Sequence, residues 1–259
     1  MLNFFGDVAN WLAAGIMFPL MLLPVASLAS GKRANSSLLW ATLVSVLVIA
    51  GALFAALAPI LRVMPTPKQI SIFFVLLAGL GALIFASGGP ERLTQQLIGP
   101  LTTVVRTVGR IVMWFLLLMA LVQFGIVILR YVFGVNYIFM QESITYMHAA
   151  VFLLAGGYAL LTNDHVRVDI FYRDASAKRK ALVDFLGAYF LLFPICLLLL
   201  WTASPYVASS WAVNEGSTET SGIQGVFILK SLIPAFAVLL AMAGFTVAVR
   251  AGGILREGR

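Results

Sequence analysis

Residues 109–133 read GRIVMWFLLLMALVQFGIVILRYVF, with no charged side chain between Arg110 and Arg130. A helix needs about 20 apolar residues to cross a hydrocarbon core of about 30 Å, so this stretch predicts a transmembrane span. The same rule finds further apolar runs at 9–30, 38–62 and 70–87 upstream, and at 139–162, 185–204 and 226–250 downstream. Seven spans are thus expected, and the fold class is an all-α integral membrane protein carrying short interfacial amphipathic helices. Composition agrees: 61% of the 259 residues are hydrophobic and 10% charged, with mean hydropathy +1.01. Soluble domains carry roughly 25% charged residues. Segments between the runs are about 20 residues or shorter, whereas independent domains start near 50. That excludes a fused nucleotide-binding, solute-binding or sizeable catalytic domain.

The net charge of +7 and pI near 9.9 read as topogenic charge, with no nucleic acid partner. With residues 163–184 placed in the cytoplasm, thirteen of the 17 Lys and Arg residues fall inside, leaving Arg62, Lys68, Arg130 and Lys230 outside. This positive-inside bias puts the N-terminus outside and the C-terminus in the cytoplasm. Residues 1–10 contain Asp7 and no Lys or Arg, unlike the basic start of a signal peptide, so the first run is expected to be retained.

Three divisions follow. Residues 1–87 form a three-helix extension, 88–108 an amphipathic linker and 109–259 a four-helix core. Ser87-Gly88-Gly89-Pro90 stops the third run, and Gly99-Pro100 is expected to break the chain again after a short helix over 91–98. Two readings fit that linker: a hinge between modules, or a plain connector lying on headgroups.

Ionisable groups within a bilayer ask for a partner. Arg130 and Glu142 flank a short turn and lie at similar depth on an antiparallel hairpin, which predicts an ion pair; the alternative is that each snorkels to headgroups. His148 is placed on the interior side of the fifth run. It lies about 25 Å from His165 if helical, too far for one haem to take both. A haem shared with a partner subunit gives the alternative reading, a membrane anchor of a haem-containing respiratory oxidoreductase. No metal-ligand cluster, phosphate loop or nucleophile elbow is present in the sequence, so no cofactor, metal or catalytic residue is expected. Ser176 is the expected N-cap of an interfacial helix whose Lys178, Arg179 and Lys180 meet anionic lipid headgroups. The polar stretch 209–225, with Trp211, Glu215 and Glu219, either binds a partner or merely connects two helices.

Arg130-Tyr131, then Glu142, then His165-Val166-Arg167-Val168-Asp169 follow one another in an order that resembles the small permease (Q) subunit of tripartite ATP-independent periplasmic (TRAP) transporters. Trp211, Glu215, Ser217 and Ser221, followed by Leu229-Lys230-Ser231-Leu232-Ile233-Pro234, look like that family's second outer loop and fourth helix. The resemblance covers roughly 106–250, with Tyr131, His165, Asp169, Ser217 and Ser221 at motif positions. It implies a non-enzymatic scaffold subunit of a sodium-coupled, binding-protein-dependent secondary transporter for organic acid uptake in the bacterial inner membrane. A large permease subunit would carry the substrate and sodium sites, and a periplasmic solute-binding protein would deliver substrate. The small subunit would brace the large one and help dock the binding protein through the loop bearing Trp211, Glu215 and Glu219. Residues 1–105 depart from the family, whose small subunit begins near its first helix.

Overall fold

The computed structural model describes residues 21–25, 27, 86, 89–164 and 172–257. Among these it contains four helices long and apolar enough to cross a membrane, Pro90–Val132, Ile138–Thr162, Ala177–Ala212 and Val226–Arg256. The expected span at 38–62, all of 70–87 except residue 86, and most of 9–30 lie outside the described residues.

Helix α1 (Pro90–Val132) is longer than expected. It runs through Gly99-Pro100, where a break was predicted. A proline removes one backbone donor, but Leu93 on one side and Val105 on the other both pack into clusters built on the last helix. Packing on both flanks holds the helical path across the missing bond, and the Thr103 hydroxyl donates to the Gly99 carbonyl (2.9 Å). Gly134, at φ +67°, then reverses the chain, and the Val135 N–H closes on the Leu129 carbonyl (3.0 Å).

Helices α2 (Ile138–Leu154) and α3 (Gly156–Thr162) return antiparallel to α1, separated by Ala155. Asn163, left-handed at φ 61°, ends α3, a conformation that asparagine tolerates better than most side chains. Ser176 does cap α4 (Ala177–Gly187), accepting from the Arg179 N–H at 3.4 Å. This helix is not a separate interfacial element, however. It continues through a π-helical segment, Ala188–Leu192, into α5 (Phe193–Ala212) without a break. Helix α6 (Val226–Glu257) completes the bundle.

Helix α6 is the hub and touches every other helix. Its inward positions include Ala237, Ala241, Ala243 and Ala248, all fully buried. Small side chains let neighbouring backbones approach, the main source of helix association where lipid tails are as apolar as leucine. At Gly157 of α3 the approach is to backbone: a Cβ there would lie 2.8 Å from the Leu239 carbonyl oxygen. Residues 21–25, which are helical, dock on the same hub: Leu22 and Leu23 pack against Leu93 and Phe245, and the Tyr189 hydroxyl donates to the Met21 carbonyl (2.6 Å). At that end Arg256 also reaches Glu91 (2.8 Å), tying the start of α1 to the end of α6.

Candidate functional site

The α1–α2 turn and the loop 213–225 between α5 and α6 lie at one end of the bundle, and there the polar side chains converge. The Asn214 backbone is left-handed (φ 47°), which ends α5 and lets the Glu215 N–H return to the Ser210 carbonyl (3.0 Å). The loop then crosses to α2. The Glu142 carboxylate accepts from the Ser217 hydroxyl through Oε1 and from the Ile223 N–H through Oε2 (2.6 Å). Ser217 Oγ also accepts from the Glu219 N–H (3.1 Å), and the Ser217 N–H donates to the Ile223 carbonyl (3.2 Å). One carboxylate thus fixes both strands of the loop. Gly222 is needed beside it, because a Cβ there would collide with Ser217 and lie 2.7 Å from Glu142 Oε1.

A second lock joins the two ends of the loop. Lys230, in the first turns of α6, donates to Glu215. Its ammonium also sits 4.1 Å from the centroid of the Tyr206 ring, a cation–π contact that helps satisfy a charge only 14% exposed. The Lys230 hydrogen bond holds the Glu215 carboxyl below the usual carboxylate range. The Trp211 indole N–H donates to Ser231 Oγ (2.8 Å), and its ring meets Phe227 edge-on, centroids 4.8 Å apart.

The expected Arg130–Glu142 ion pair does not form. Both Glu142 oxygens are engaged by the loop, while the exposed Arg130 lies with its guanidinium carbon 6.0 Å from the Tyr131 ring centroid. Tyr131 itself is 79% exposed. The pairing argument used depth along a hairpin, which fixes level but not azimuth, and a loop donor reached the carboxylate first. Of Trp211, Glu215 and Glu219, the residues expected to meet a partner, the first two are engaged by α6, whereas Glu219 is exposed at the loop tip with Thr218, Thr220 and Ser221. Sequence reasoning missed the Lys230–Glu215 lock. Asking of Lys230 the partner question put to Arg130 would have found it.

At the opposite end, Lys178 and Arg179 are exposed, but Lys180 turns onto the protein. It donates to the Arg173 carbonyl (2.9 Å) and lies 5.4 Å from the Tyr172 ring centroid. His165 and Asp169 lie outside the described residues. His148 is exposed on α2 and does not face the bundle interior. His148 is the only histidine among the described residues, and they lend the haem-anchor alternative no support.

Three apolar spans packed on a fourth, the small-residue hub, and locked at one end by a polar loop define a helical integral membrane protein. The family model described as "Tripartite ATP-independent periplasmic transporters, DctQ component" matches residues 119–252. The chain belongs to that family and is a TRAP transporter small permease subunit. No curated protein and no solved structure matches it.

Proposed function

We propose that this chain braces the large permease subunit of a sodium-coupled TRAP transporter and offers a docking surface to the solute-binding protein. The observation that carries the bracing role is the outward face of α1. Trp114 is 71% exposed, Leu121 59% and Phe124 65%, in a helix whose apolar window is 11% buried against 44% for α6. Such a face suits a large membrane-embedded neighbour. For docking, the tip Thr218–Ser221 is the favoured contact, because the Glu142 and Lys230 locks hold it still at no cost at the moment of binding. The bias of Lys and Arg supports an orientation with this tip outside and the C-terminus in the cytoplasm. In that orientation the three-helix extension 1–87 precedes the four-helix core in the same membrane.

Affinity purification of this chain from membranes co-expressing the large subunit tests the role. A stable complex is expected, with solute uptake in proteoliposomes only when both subunits and the binding protein are present. Uptake by this chain alone overturns the proposal. Replacing Glu219→Lys is expected to weaken binding-protein docking while leaving the two-subunit complex intact.

A further inference from the structure

A buried hydroxyl beside the Glu142 lock is left unpaired. Tyr146 follows Glu142 by one turn of α2, so the two side chains share a face. Helical side chains lean back towards the N-terminus, which carries the Tyr146 ring towards Glu142. Its hydroxyl oxygen is buried and has no hydrogen-bond partner among the described residues. Other tyrosines show what is missing: Tyr189 donates to the Met21 carbonyl (2.6 Å) and Tyr172 to Asp184 (2.8 Å). Ser210 Oγ is also buried and unpaired, but a serine on a helix can turn its hydroxyl to its own backbone, as Ser209 does to the Tyr206 carbonyl (3.0 Å). A tyrosine cannot. Because an unpaired buried polar group is destabilising, the closed loop carries a penalty centred on Tyr146.

The loop lies directly on both groups. A Cβ at Gly222 would sit 2.7 Å from Glu142 Oε1, and one at Gly225 would sit 3.8 Å from the Tyr146 hydroxyl oxygen. Ser217 and Ile223, the two donors to the carboxylate, bracket the exposed tip Thr218–Ser221, so a pull on the tip acts first on those two bonds. We infer that the loop 213–225 is a two-state latch: closed, Glu142 is held by Ser217 and Ile223; open, the Tyr146 hydroxyl donates to Glu142 in their place. On opening, the carboxylate keeps a donor and the hydroxyl gains an acceptor. The gap between the states is therefore smaller than the loss of two hydrogen bonds alone would make it. The Lys230–Glu215 lock joins the two ends of the loop in either state. A displacement of the tip is thus passed to α2 as a change of partner at one carboxylate, whatever takes hold of the tip.

Amide exchange of the full chain in phospholipid nanodiscs reads the open fraction of the loop, with α1 and α6 as the control on folding. Tyr146→Phe removes both the penalty of the closed state and the donor of the open one. Exchange across 213–225 is therefore expected to slow about tenfold. Unchanged or faster exchange overturns the latch, because the hydroxyl is then indifferent to the closed loop or a support of it. A second comparison leaves Tyr146 in place. Ser217→Ala weakens only the closed state, whereas Glu142→Ala takes an acceptor from both states. The two are expected to accelerate exchange by amounts within about threefold of each other. A larger excess for Glu142→Ala overturns the exchange of partners, since it makes the closed state the only one that uses the carboxylate.

Discussion

Helices α6 and α1 are both long and apolar, yet they spend their side chains in opposite ways. In α6 the inward positions are alanines and Phe245, buried to completion, and the polar groups at its start, Lys230 and Ser231, are bound to Glu215 and Trp211. Along α1 large side chains point away from the other described helices, Trp114 and Phe124 among them. Among the described residues, small side chains face inward where the helices pack on one another, and large ones face outward along α1. The described residues therefore have a closed side around α6 and an open side along α1.

The strongest way to break the closed side is Gly157→Leu. A side chain there meets the Leu239 backbone, which cannot rotate away, so a loss of about 3 kcal/mol is expected, the upper end for overpacking. Unfolding by a denaturing detergent measures it. Next in size is Glu142→Ala, which strands the Ile223 N–H and the Ser217 hydroxyl together. Proteolysis and amide exchange across 213–225 should accelerate while the helices stay protected; an unchanged loop would mean that the Glu215–Lys230 lock suffices alone.

A pH titration of the wild type beside a Glu215 variant probes the Glu215–Lys230 lock. Because Glu215 has its folded-state carboxyl lowered from the ordinary value of 4.5, the unfolded chain binds its proton first as pH falls. The stabilisation is then present above the ordinary value and is lost as pH drops through the depressed one. Glu215→Gln should lower stability at neutral pH and flatten the acid limb of the profile. The smallest effect is expected on the open side. Trp114→Leu should change the stability of the isolated chain by no more than about 0.5 kcal/mol, yet reduce the yield of complex with the large subunit.

The four described spans were legible because a run of apolar residues long enough to cross a bilayer has few alternatives. The expected 139–162, 185–204 and 226–250 each fall within a helix, and 109–133 overruns its helix by the single residue Phe133. The extents were not legible. Helices over 91–98 and after Ser176 were expected as short separate elements; their continuity with the spans follows from packing against α6, which no local pattern states. The site divides in the same way. Ser176 as a cap is a contact three residues long, readable from its neighbours. Glu142 finds Ser217 and Ile223 across 75 and 81 residues, and that choice depends on how the loop folds back. The histidine at 148 carried a signal of polarity but none of direction, since α2 shows no strongly one-sided apolar pattern from which its inner face could be read.

The π-helical segment Ala188–Leu192 has a consequence for how this sequence can vary. A π turn accommodates about one residue more than an α turn, and each residue in an α-helix advances the face by about 100°. Everything after Leu192 is therefore rotated relative to a plain helix starting at Ala177, and that rotation turns Phe193 and Cys196 inward while Lys178 and Arg179 remain outside. Deleting one residue within 188–192 would convert the segment to ordinary helix and, because the wide turn holds that one extra residue, would leave both α4 and α5 facing their present neighbours. Deleting one residue elsewhere in 177–212 with the π turn kept would instead swing everything beyond it by about 100°. The segment therefore marks where this helix can lose a residue without turning α5 away from α6.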